Sequence, residues 1–346
     1  MTYPWEGIYP KIFIIALIVS TLLTPFIRKL AIYAGAMDKP SGVKIHKHPT
    51  PRLGGVAIFF GFLFSILAMG EVTPDQKTVL IGATMAFIVG ILDDTRSVSA
   101  VVKLIVLFII TAFLAINGVI LSLVPWPWVN FILTLFWIVG VTSAFNAMDN
   151  MDGLAAGLTF FASLAYAYVA VQNGQWGWGA LAFALMGSSL GFLFFNFPPA
   201  KIFMGDSGSF FLGYCLAAMS VIGAWSTNPF KAIVVPIFIL GLPIFDLIFV
   251  VVKRHHSRVT RTIREVVTFS GKDHFSHRLL KLGMSQKQAV VFTYFVALAL
   301  SLGAISMRYV QRIEAILLCI QYFVITMLII ILMEYVDRRD KKPIEF

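Results

Sequence analysis

The stretch AFNAMDNMDGLAAGL, residues 144–158, carries three oxygen-bearing side chains in an otherwise apolar region. Asn146, Asp149 and Asp152 are spaced three residues apart, so on a helical end they would lie along one drifting face and project into the same volume. Amide and carboxylate oxygens are hard ligands, which suit Mg²⁺ or Mn²⁺ better than zinc. The spacing therefore predicts half of a magnesium site.

A further acid, Asp206, stands in FMGDSGS, just before an apolar segment. At the start of a helix, free backbone N–H groups and the positive end of the dipole attract anions. Mg²⁺ usually takes one or two protein carboxylates and completes its coordination with water and phosphate oxygens. A diphosphate is thus the natural partner, and metal and phosphate are predicted to meet near Asp206.

The adjacent carboxylates Asp93 and Asp94, in GILDDTRS, could join this site or could simply solvate a loop. Lys103 opens the next apolar segment, where a lone lysine more commonly extends its head group to a membrane interface. Beside a metal site it could instead hold a phosphate. The three residues are therefore candidates for phosphate chemistry, and the alternative for each is a solvated helix end.

The segment KRHHSRVTRTIREVVTFSGKDHFSHRLLKLG is strongly basic. Arg258, Arg261 and Arg264 recur every three residues, so on a helix they would form one basic stripe that binds either anionic lipid headgroups or the phosphates of a substrate. His274 and His277 could be zinc ligands, but no third His or Cys stands near them. Phosphate contact or proton handling is the better interpretation.

The composition determines which elements position these residues. Of 346 residues, 59% are hydrophobic and 13% charged, which excludes an ordinary soluble domain. A membrane span needs roughly 20 mostly apolar residues. The sequence predicts an all-α polytopic integral membrane protein with about eleven spans, near residues 11–33, 53–69, 78–92, 101–122, 126–145, 154–171, 177–195, 208–225, 232–252, 288–307 and 313–333.

The positions of Lys and Arg predict the orientation. With the N-terminus outside, the outer loops and their edges hold only five of the 27 basic residues, and the other side holds 22. This bias places the C-terminus in the cytoplasm. The net charge of +10 is therefore explained by topology, and no nucleic-acid partner is expected.

The whole chain is predicted to form one transmembrane domain, residues 1–346, with its polar clusters on the cytoplasmic face. Because five such clusters share one face, chance placement of loop acids is a poor explanation; they contain Asp93 and Asp94, the 144–158 stretch, Asn196 and Asp206, Asp246 in PIFDLIF, and the histidines of GKDHFSHRLL. The cytoplasmic loops are expected near residues 34–53, 93–100, 144–153, 196–207 and 253–287.

In order and spacing, seven motifs resemble those of the polyprenyl-phosphate N-acetylhexosamine-1-phosphate transferases. These membrane enzymes move a sugar 1-phosphate from a UDP-sugar onto undecaprenyl phosphate. The resemblance covers nearly the whole chain and rests on HKHPTPRLGG, DD at 93–94, the lysine in VKLIVLF, NAMDNMDGLAAG, FMGDSGS, PIFD and DHFSHRLL. Length and the DHFSHRLL loop are more similar to the members that use UDP-N-acetylglucosamine than to those that use UDP-N-acetylmuramoyl-pentapeptide.

The resemblance implies that Asn146 and Asp206 bind Mg²⁺, with Mn²⁺ as a substitute, and that Asp149 and Asp152 shape the metal and nucleotide-sugar site. The pair at 93–94 is expected near the attacking lipid phosphate. Substrate or phosphate contacts are expected from Lys44, His46, Arg52, Lys103, Asn196, Arg258, Arg261, Arg264, His274, His277 and Arg278.

The chain departs from the family pattern at two positions. Ser276 stands where the family often carries the middle of three histidines, which puts the usual role of that motif in doubt. Asn150 replaces a glycine that is common between the two aspartates. The sequence alone gives no explanation for either residue.

The resemblance implies an enzyme of a bacterial inner membrane, with a UDP-sugar donor, a polyprenyl phosphate acceptor and the lipid bilayer as partners. The favoured reaction is direct in-line attack by a lipid phosphate oxygen, and a covalent aspartyl-phosphate is the competing route. Other UDP-N-acetylhexosamines remain alternative donors, and assembly as a homodimer is left open. A transporter would place acids near mid-span in paired interrupted helices, which the sequence does not show.

Overall fold

The computed structural model describes residues 7–38, 49–223, 225–226, 228–269 and 271–341. Within these ranges helices form almost all of the regular structure. They are Ile8–Tyr33 (α1), Gly54–Leu67 (α2), Pro74–Arg96 (α3), Ala100–Ile116 (α4), Pro127–Met148 (α5), Leu154–Gln172 (α6), Trp176–Asn196 (α7), Gly205–Ile222 (α8), Pro229–Ile239 (α9), Gly241–His256 (α10), Ile263–Thr268 (α11), Phe275–Lys281 (α12), Gln286–Met307 (α13) and Arg312–Lys341 (α14).

A small hairpin is the one exception among the described residues. Met37–Asp38 (β1) and Thr50–Pro51 (β2) pair antiparallel. The prediction of an all-α chain missed these strands, because two-residue strands leave no periodic pattern in a sequence. The hairpin matters for position, since the N–H of Phe203 donates to the carbonyl of Pro51 at 2.8 Å and so ties β2 to the loop before α8.

The described helices confirm a polytopic membrane protein. Seven of them are long and apolar enough to cross a bilayer, and the bent pair α9 and α10 could supply an eighth span. All eleven predicted segments contain a described helix, but α2 has only 14 residues. At 1.5 Å per residue it is about 21 Å long, shorter than the roughly 30 Å of a hydrocarbon core. The count of eleven spans and the single-domain assignment stay predictions.

The predicted span at 232–252 is broken. Helices α9 and α10 meet at an angle of 76°. Proline explains the break, because Pro236 and Pro243 have no N–H to donate to the carbonyls four residues earlier. Helix α10, which carries Asp246, therefore does not continue along the axis of α9.

Helix α8 is the centre of the bundle and packs against α2, α3 and α5. All its residues from Ser207 to Ser220 are buried. Glycine permits the close approach, since a Cβ at Gly90 of α3 would lie 2.3 Å from the carbonyl oxygen of Asp206. One polar end of α8 is thus pressed against the end of α3.

Side-chain bonds sort the helix ends into two groups at opposite ends of the bundle. At one end, Tyr9 donates to the carbonyl of Trp176, and Arg308 donates to that of Gln172. At the other end lie the chain reversals between α3 and α4, α5 and α6, and α7 and α8, which are joined by the bonds from Lys103 to Asp206 and from Ala200 to Asp152. These groups match the predicted alternation of loops, and the assignment of one end to the cytoplasm stays a prediction.

Candidate active site

Asp94, in the last turn of α3, caps the N-terminus of α8. Its Oδ1 accepts the N–H of Asp206 at 2.9 Å, and its Oδ2 accepts the N–H of Ser207 at 3.0 Å. These N–H groups have no partner inside the helix and carry the positive end of its dipole. The sequence predicted that they would attract a phosphate, but the protein's own carboxylate satisfies them.

Gly205 makes this cap feasible. Its φ of +75° is left-handed, and a Cβ there would lie 2.4 Å from Oδ2 of Asp94. Glycine adopts this conformation without steric cost and leaves room for the carboxylate. The glycine of FMGDSGS therefore serves the contact between α3 and α8.

Lys103, in the first turn of α4, bridges two carboxylates from different helices. Its Nζ lies 3.0 Å from Oδ2 of Asp93 and 2.6 Å from Oδ2 of Asp206. The side chain of Asp93 also accepts the N–H of Val98 at 2.7 Å, which fixes it at the end of α3. We call Asp93, Asp94, Lys103 and Asp206 the carboxylate cluster. The structure thus unites four residues whose outermost members, Asp93 and Asp206, are 206 − 93 = 113 positions apart in the chain.

The three residues of the opening motif do not share a helical face, so that prediction was wrong. Helix α5 ends at Met148, Asp149 follows it, and Asp152 lies in the turn before α6. Asp and Asn side chains compete for backbone groups and so favour turns over helix interiors. The Oδ2 of Asp152 accepts the N–H of Ala200 at 2.9 Å and joins this turn to the loop before α8.

Asp149 lies within electrostatic reach of the carboxylate cluster. Its burial, followed by the negative charges of Asp206 and Asp94, raises the pKa of Asp149 well above its usual range. The nearby positive charge of Arg52 acts in the opposite direction. Arg52 is itself paired with Asp38 of β1. An acid of this kind gains stability from an added cation, because its charged form is disfavoured without one.

Oxygen ligands for Mg²⁺ are available around the cluster. Two carboxylate oxygens, from Asp93 and Asp206, already converge on one cation, the ammonium of Lys103. The side-chain nitrogen of Asn146 donates to the hydroxyl of Ser209 at 2.9 Å, so its oxygen lies on the other side of the amide. Among the described residues no group of three His, Cys, Asp or Glu has a metal-site arrangement. The donor set fits an ion that takes one or two carboxylates and leaves its other positions to phosphate and water.

Asn196, predicted as a phosphate contact, is buried at the end of α7. Its side-chain oxygen accepts the N–H of Gly153 at 2.9 Å, and its side-chain nitrogen donates to the carbonyl of Ile202 at 2.9 Å. Both polar atoms therefore hold the turn before α6 against the loop before α8. In the structure Asn196 therefore positions these two chain segments through its bonds to their backbone.

Most of the histidine motif forms the short helix α12, which is anchored by Asp246, an acid in a predicted polar cluster to which the sequence assigned no role of its own. The Nδ1 of His274 lies 2.6 Å from Oδ2 of the fully buried Asp246, and the N–H of Phe275 donates to its Oδ1 at 2.7 Å. A carboxylate in this position fixes the orientation of the imidazole. The signal for this role was the single acid of PIFD in an apolar segment.

The two other residues of the motif are also buried. Burial, reinforced by the adjacent His274, lowers the pKa of His277 to about 4, so this side chain is neutral at pH 7. The Nε of Arg278 donates to the carbonyl of Asp273 at 2.7 Å, and its Nη1 donates to that of Met333 at 2.8 Å. Arg278 joins α12 to α14, which differs from the predicted contact with a diphosphate.

The predicted basic stripe is absent from the described part of the chain. Arg258 has a left-handed φ of +57°, and α11 begins only at Ile263, so Arg258, Arg261 and Arg264 do not share one helix. All three are exposed, and the first two line a basic surface hollow of about 470 Å³ at the end of α10. The predicted residues Lys44 and His46 lie outside the described residues.

The fold and this site define an integral membrane protein whose polar chemistry is concentrated at one end of its helix bundle. The sequence pattern of Glycosyl transferase family 4 matches residues 77–224. These residues hold the whole carboxylate cluster. The chain is also 36% identical over 306 residues to the probable undecaprenyl-phosphate N-acetylglucosaminyl 1-phosphate transferase of Bacillus subtilis, with 86% of this chain and 84% of that protein covered.

Two further relatives are similar at lower identity. The undecaprenyl-phosphate alpha-N-acetylglucosaminyl 1-phosphate transferase of Yersinia pestis is 28% identical over 301 residues, covering 81% of this chain and 80% of that protein. The phospho-N-acetylmuramoyl-pentapeptide-transferase of Heliobacterium modesticaldum is 29% identical over 317 residues, covering 83% and 92%. The chain belongs to Glycosyl transferase family 4. The predicted family and the predicted enzyme class, a phosphotransferase, are confirmed.

Proposed function

We propose that the chain transfers N-acetylglucosamine 1-phosphate from UDP-N-acetylglucosamine to undecaprenyl phosphate and releases UMP. The observation that carries the proposal is the carboxylate cluster, in which one lysine and three aspartates from three helices meet at the end of an apolar bundle. A lipid phosphate must react at such a depth, because its chain stays in the bilayer. The names of the relatives in Bacillus subtilis and Yersinia pestis support the choice of donor and acceptor.

In the reaction, an oxygen of the lipid phosphate attacks the sugar-bearing phosphorus, and the bond from that phosphorus to the bridging oxygen breaks. UMP leaves with the bridging oxygen, and the lipid keeps a sugar diphosphate. Such transfers depend on positioning and charge neutralisation more than on covalent help. The second pKa of a phosphate monoester is about 6, so the nucleophile is largely ionised at neutral pH.

Each part of the cluster has a role in this mechanism. Lys103 can give a phosphate N–H donors and a positive charge. In the structure its ammonium contacts Asp93 and Asp206. Asp93 can accept a residual proton from the acceptor, while Asp94 holds the start of α8 in place. Mg²⁺ or Mn²⁺, held by Asp206 and Asn146, would supply charge neutralisation for the diphosphate of the donor.

We infer that the donor lies on the side of Asp149 and the histidine motif. With its pKa near 4, His277 is neutral at pH 7 and can donate or accept hydrogen bonds without adding charge. A donor on this side and a lipid phosphate at Lys103 would both lie close to Asp206, since Lys103 contacts Asp206 and the charge of Asp206 acts on Asp149. A covalent aspartyl-phosphate is the competing route, and a phosphorylated enzyme formed from UDP-sugar alone would contradict direct attack.

The topology belongs to the same proposal. We infer eleven spans, an outer N-terminus and a cytoplasmic carboxylate cluster, in a bacterial inner membrane. The support is the excess of Lys and Arg on one side, 22 of 27 residues. A cytoplasmic site is also where a water-soluble UDP-sugar is available. The homodimer stays a prediction from the sequence.

A donor panel tests the proposal. Purified protein in detergent is incubated with undecaprenyl phosphate, Mg²⁺ and, separately, UDP-N-acetylglucosamine, UDP-N-acetylgalactosamine or UDP-N-acetylmuramoyl-pentapeptide, and UMP release is measured. We expect the first donor to be used best and chelation of the metal to stop turnover. Release of UMP with the pentapeptide donor alone would overturn the choice of donor.

Two variants separate catalysis from a scaffold role in the same assay. Asp206→Ala should abolish UMP release, because it removes one partner of Lys103 and the predicted metal ligand. Asp75→Asn is the matched control, since Asp75 is an exposed acid in the first turn of α3, at the opposite end of that helix from the cluster. An unaffected Asp206→Ala protein would contradict the proposal.

A further inference from the structure

The two residues that depart from the family pattern are hydrogen-bonded to each other. The hydroxyl of Ser276, in α12, donates to Oδ1 of Asn150 at 2.7 Å. The two residues are 126 positions apart in the chain. The contact therefore links the histidine motif to the turn that carries Asp149 and Asp152.

Both ends of this contact are fixed. Ser276 is fully buried, so its hydroxyl has no access to solvent in the described structure. The amide nitrogen of Asn150 donates to the carbonyl of Ala147 at 2.7 Å, in the last turn of α5. That carbonyl belongs to the end of a helix, where carbonyls lack intrahelical partners. A continuous series of hydrogen bonds thus runs from α5 through Asn150 to α12.

Helix α12 is held at its start from two directions. Asp246 of α10 binds the ring of His274 and the N–H of Phe275, and Asn150 binds the next residue, Ser276. His274 and the first two residues of α12 are therefore tied to α10 and to the turn that follows α5. With only seven residues, α12 depends on such tertiary contacts for its position.

We propose that Asn150 and Ser276 are a pair of positioning residues that set the distance between the two walls of the donor site, the Asp149 turn and the histidine motif. The inference rests on the proposed function, because it takes the UDP-sugar to touch both walls. The lipid phosphate is bound at Lys103, which neither residue contacts. Loss of the pair should therefore weaken binding of the UDP-sugar donor and leave binding of the lipid phosphate acceptor unchanged.

The test is a double-mutant cycle on the full-length protein with Asn150→Ala, Ser276→Ala and the double variant. Ser276→Ala removes one neutral hydrogen bond, so we expect kcat/KM for UDP-N-acetylglucosamine to fall about fivefold to tenfold through a higher KM. Asn150→Ala also removes the bond to the carbonyl of Ala147, so its loss should be at least as large. The double variant should lie within about twofold of Asn150→Ala, because that variant has already lost the contact with Ser276. The KM for undecaprenyl phosphate should stay at the wild-type value.

Two further variants exclude a purely structural effect. Ser189→Ala is the matched control, because Ser189 is also a fully buried serine but donates to Met186 within its own helix α7 at 3.1 Å. We expect it to match Ser276→Ala in thermal stability and wild type in donor KM. Ser276→Thr keeps the hydroxyl and should keep donor KM within about threefold of wild type.

Additive losses in the double variant, an equal rise in donor KM for Ser189→Ala, or a parallel change in acceptor KM would overturn the proposal. Donor affinity is also measured directly, by calorimetry with UDP-N-acetylglucosamine and no acceptor. A wild-type protein that binds the donor without turnover would defeat the proposed transfer, and the affinities of the variants would still decide the role of the pair. A wild-type protein that does neither would defeat both.

Discussion

Substitution of Asp94 tests whether this residue positions the carboxylate cluster or only adds charge to it. In Asp94→Asn, one oxygen remains to accept an N–H from the start of α8, and an NH₂ group faces the other N–H. The wild-type carboxylate accepts both bonds, at 2.9 and 3.0 Å. A hydrogen bond to a charged group contributes about 1.5 to 3 kcal/mol and a neutral one about 1, so the variant should lose about 2 to 5 kcal/mol of stability.

The neighbouring substitution Asp93→Asn is the matched control. Its remaining oxygen can still accept the N–H of Val98, and Lys103 keeps its contact with Asp206. We expect a loss of about 1 kcal/mol, typical of one partly exposed ion pair. Both variants should lose UMP release. The free energy of unfolding of the purified proteins is measured in detergent by denaturant titration and thermal scans. An Asp94→Asn protein as stable as Asp93→Asn would refute the capping role.

Three other perturbations follow from the site. Lys103→Met removes the cation shared by Asp93 and Asp206, and kcat for UMP release should fall on the order of a hundredfold, with partial retention in Lys103→Arg. Gly205→Ala forces a left-handed alanine against the Asp94 carboxylate, and it should cost about 2 kcal/mol or more in the same unfolding assay. Because burial lowers the pKa of His277 from 6.5 to about 4, the unfolded chain binds a proton in this window that the native protein does not, so stability falls as pH drops from 6.5 to 4. The contribution is about 3 kcal/mol, and unfolding curves of His277→Gln should lack that part of the pH dependence.

The sequence alone predicted a membrane protein and identified most residues of the carboxylate cluster as candidates. Apolar runs predict helices because a bilayer leaves few alternatives. Acids stand out against such a background, so the pair at 93–94 and Asp206 could be selected before any geometry was known. The resemblance to a family then assigned them to one site, and the structure placed them in contact with Lys103.

The sequence could not show which polar atoms satisfy each other. Asp94 was expected near a phosphate, yet it caps α8 through backbone N–H groups more than 110 positions away. Asn196 was selected as a ligand contact and is committed to two backbone bonds. These pairings depend on how helices meet in space, and local patterns carry no information on that. The break between α9 and α10 was not predicted either, because the apolar residues of the segment form the same pattern whether or not its helix bends.

The fate of the two donor phosphates tests the central claim most directly. UDP-N-acetylglucosamine is labelled on the phosphorus next to the sugar or, in a parallel sample, on the phosphorus next to uridine, and incubated with the protein, undecaprenyl phosphate and Mg²⁺. If the chain transfers a sugar 1-phosphate, the first label moves into the lipid fraction and the second stays in water as UMP. Both labels remaining in water-soluble UDP, with unlabelled sugar on the lipid, would contradict the account.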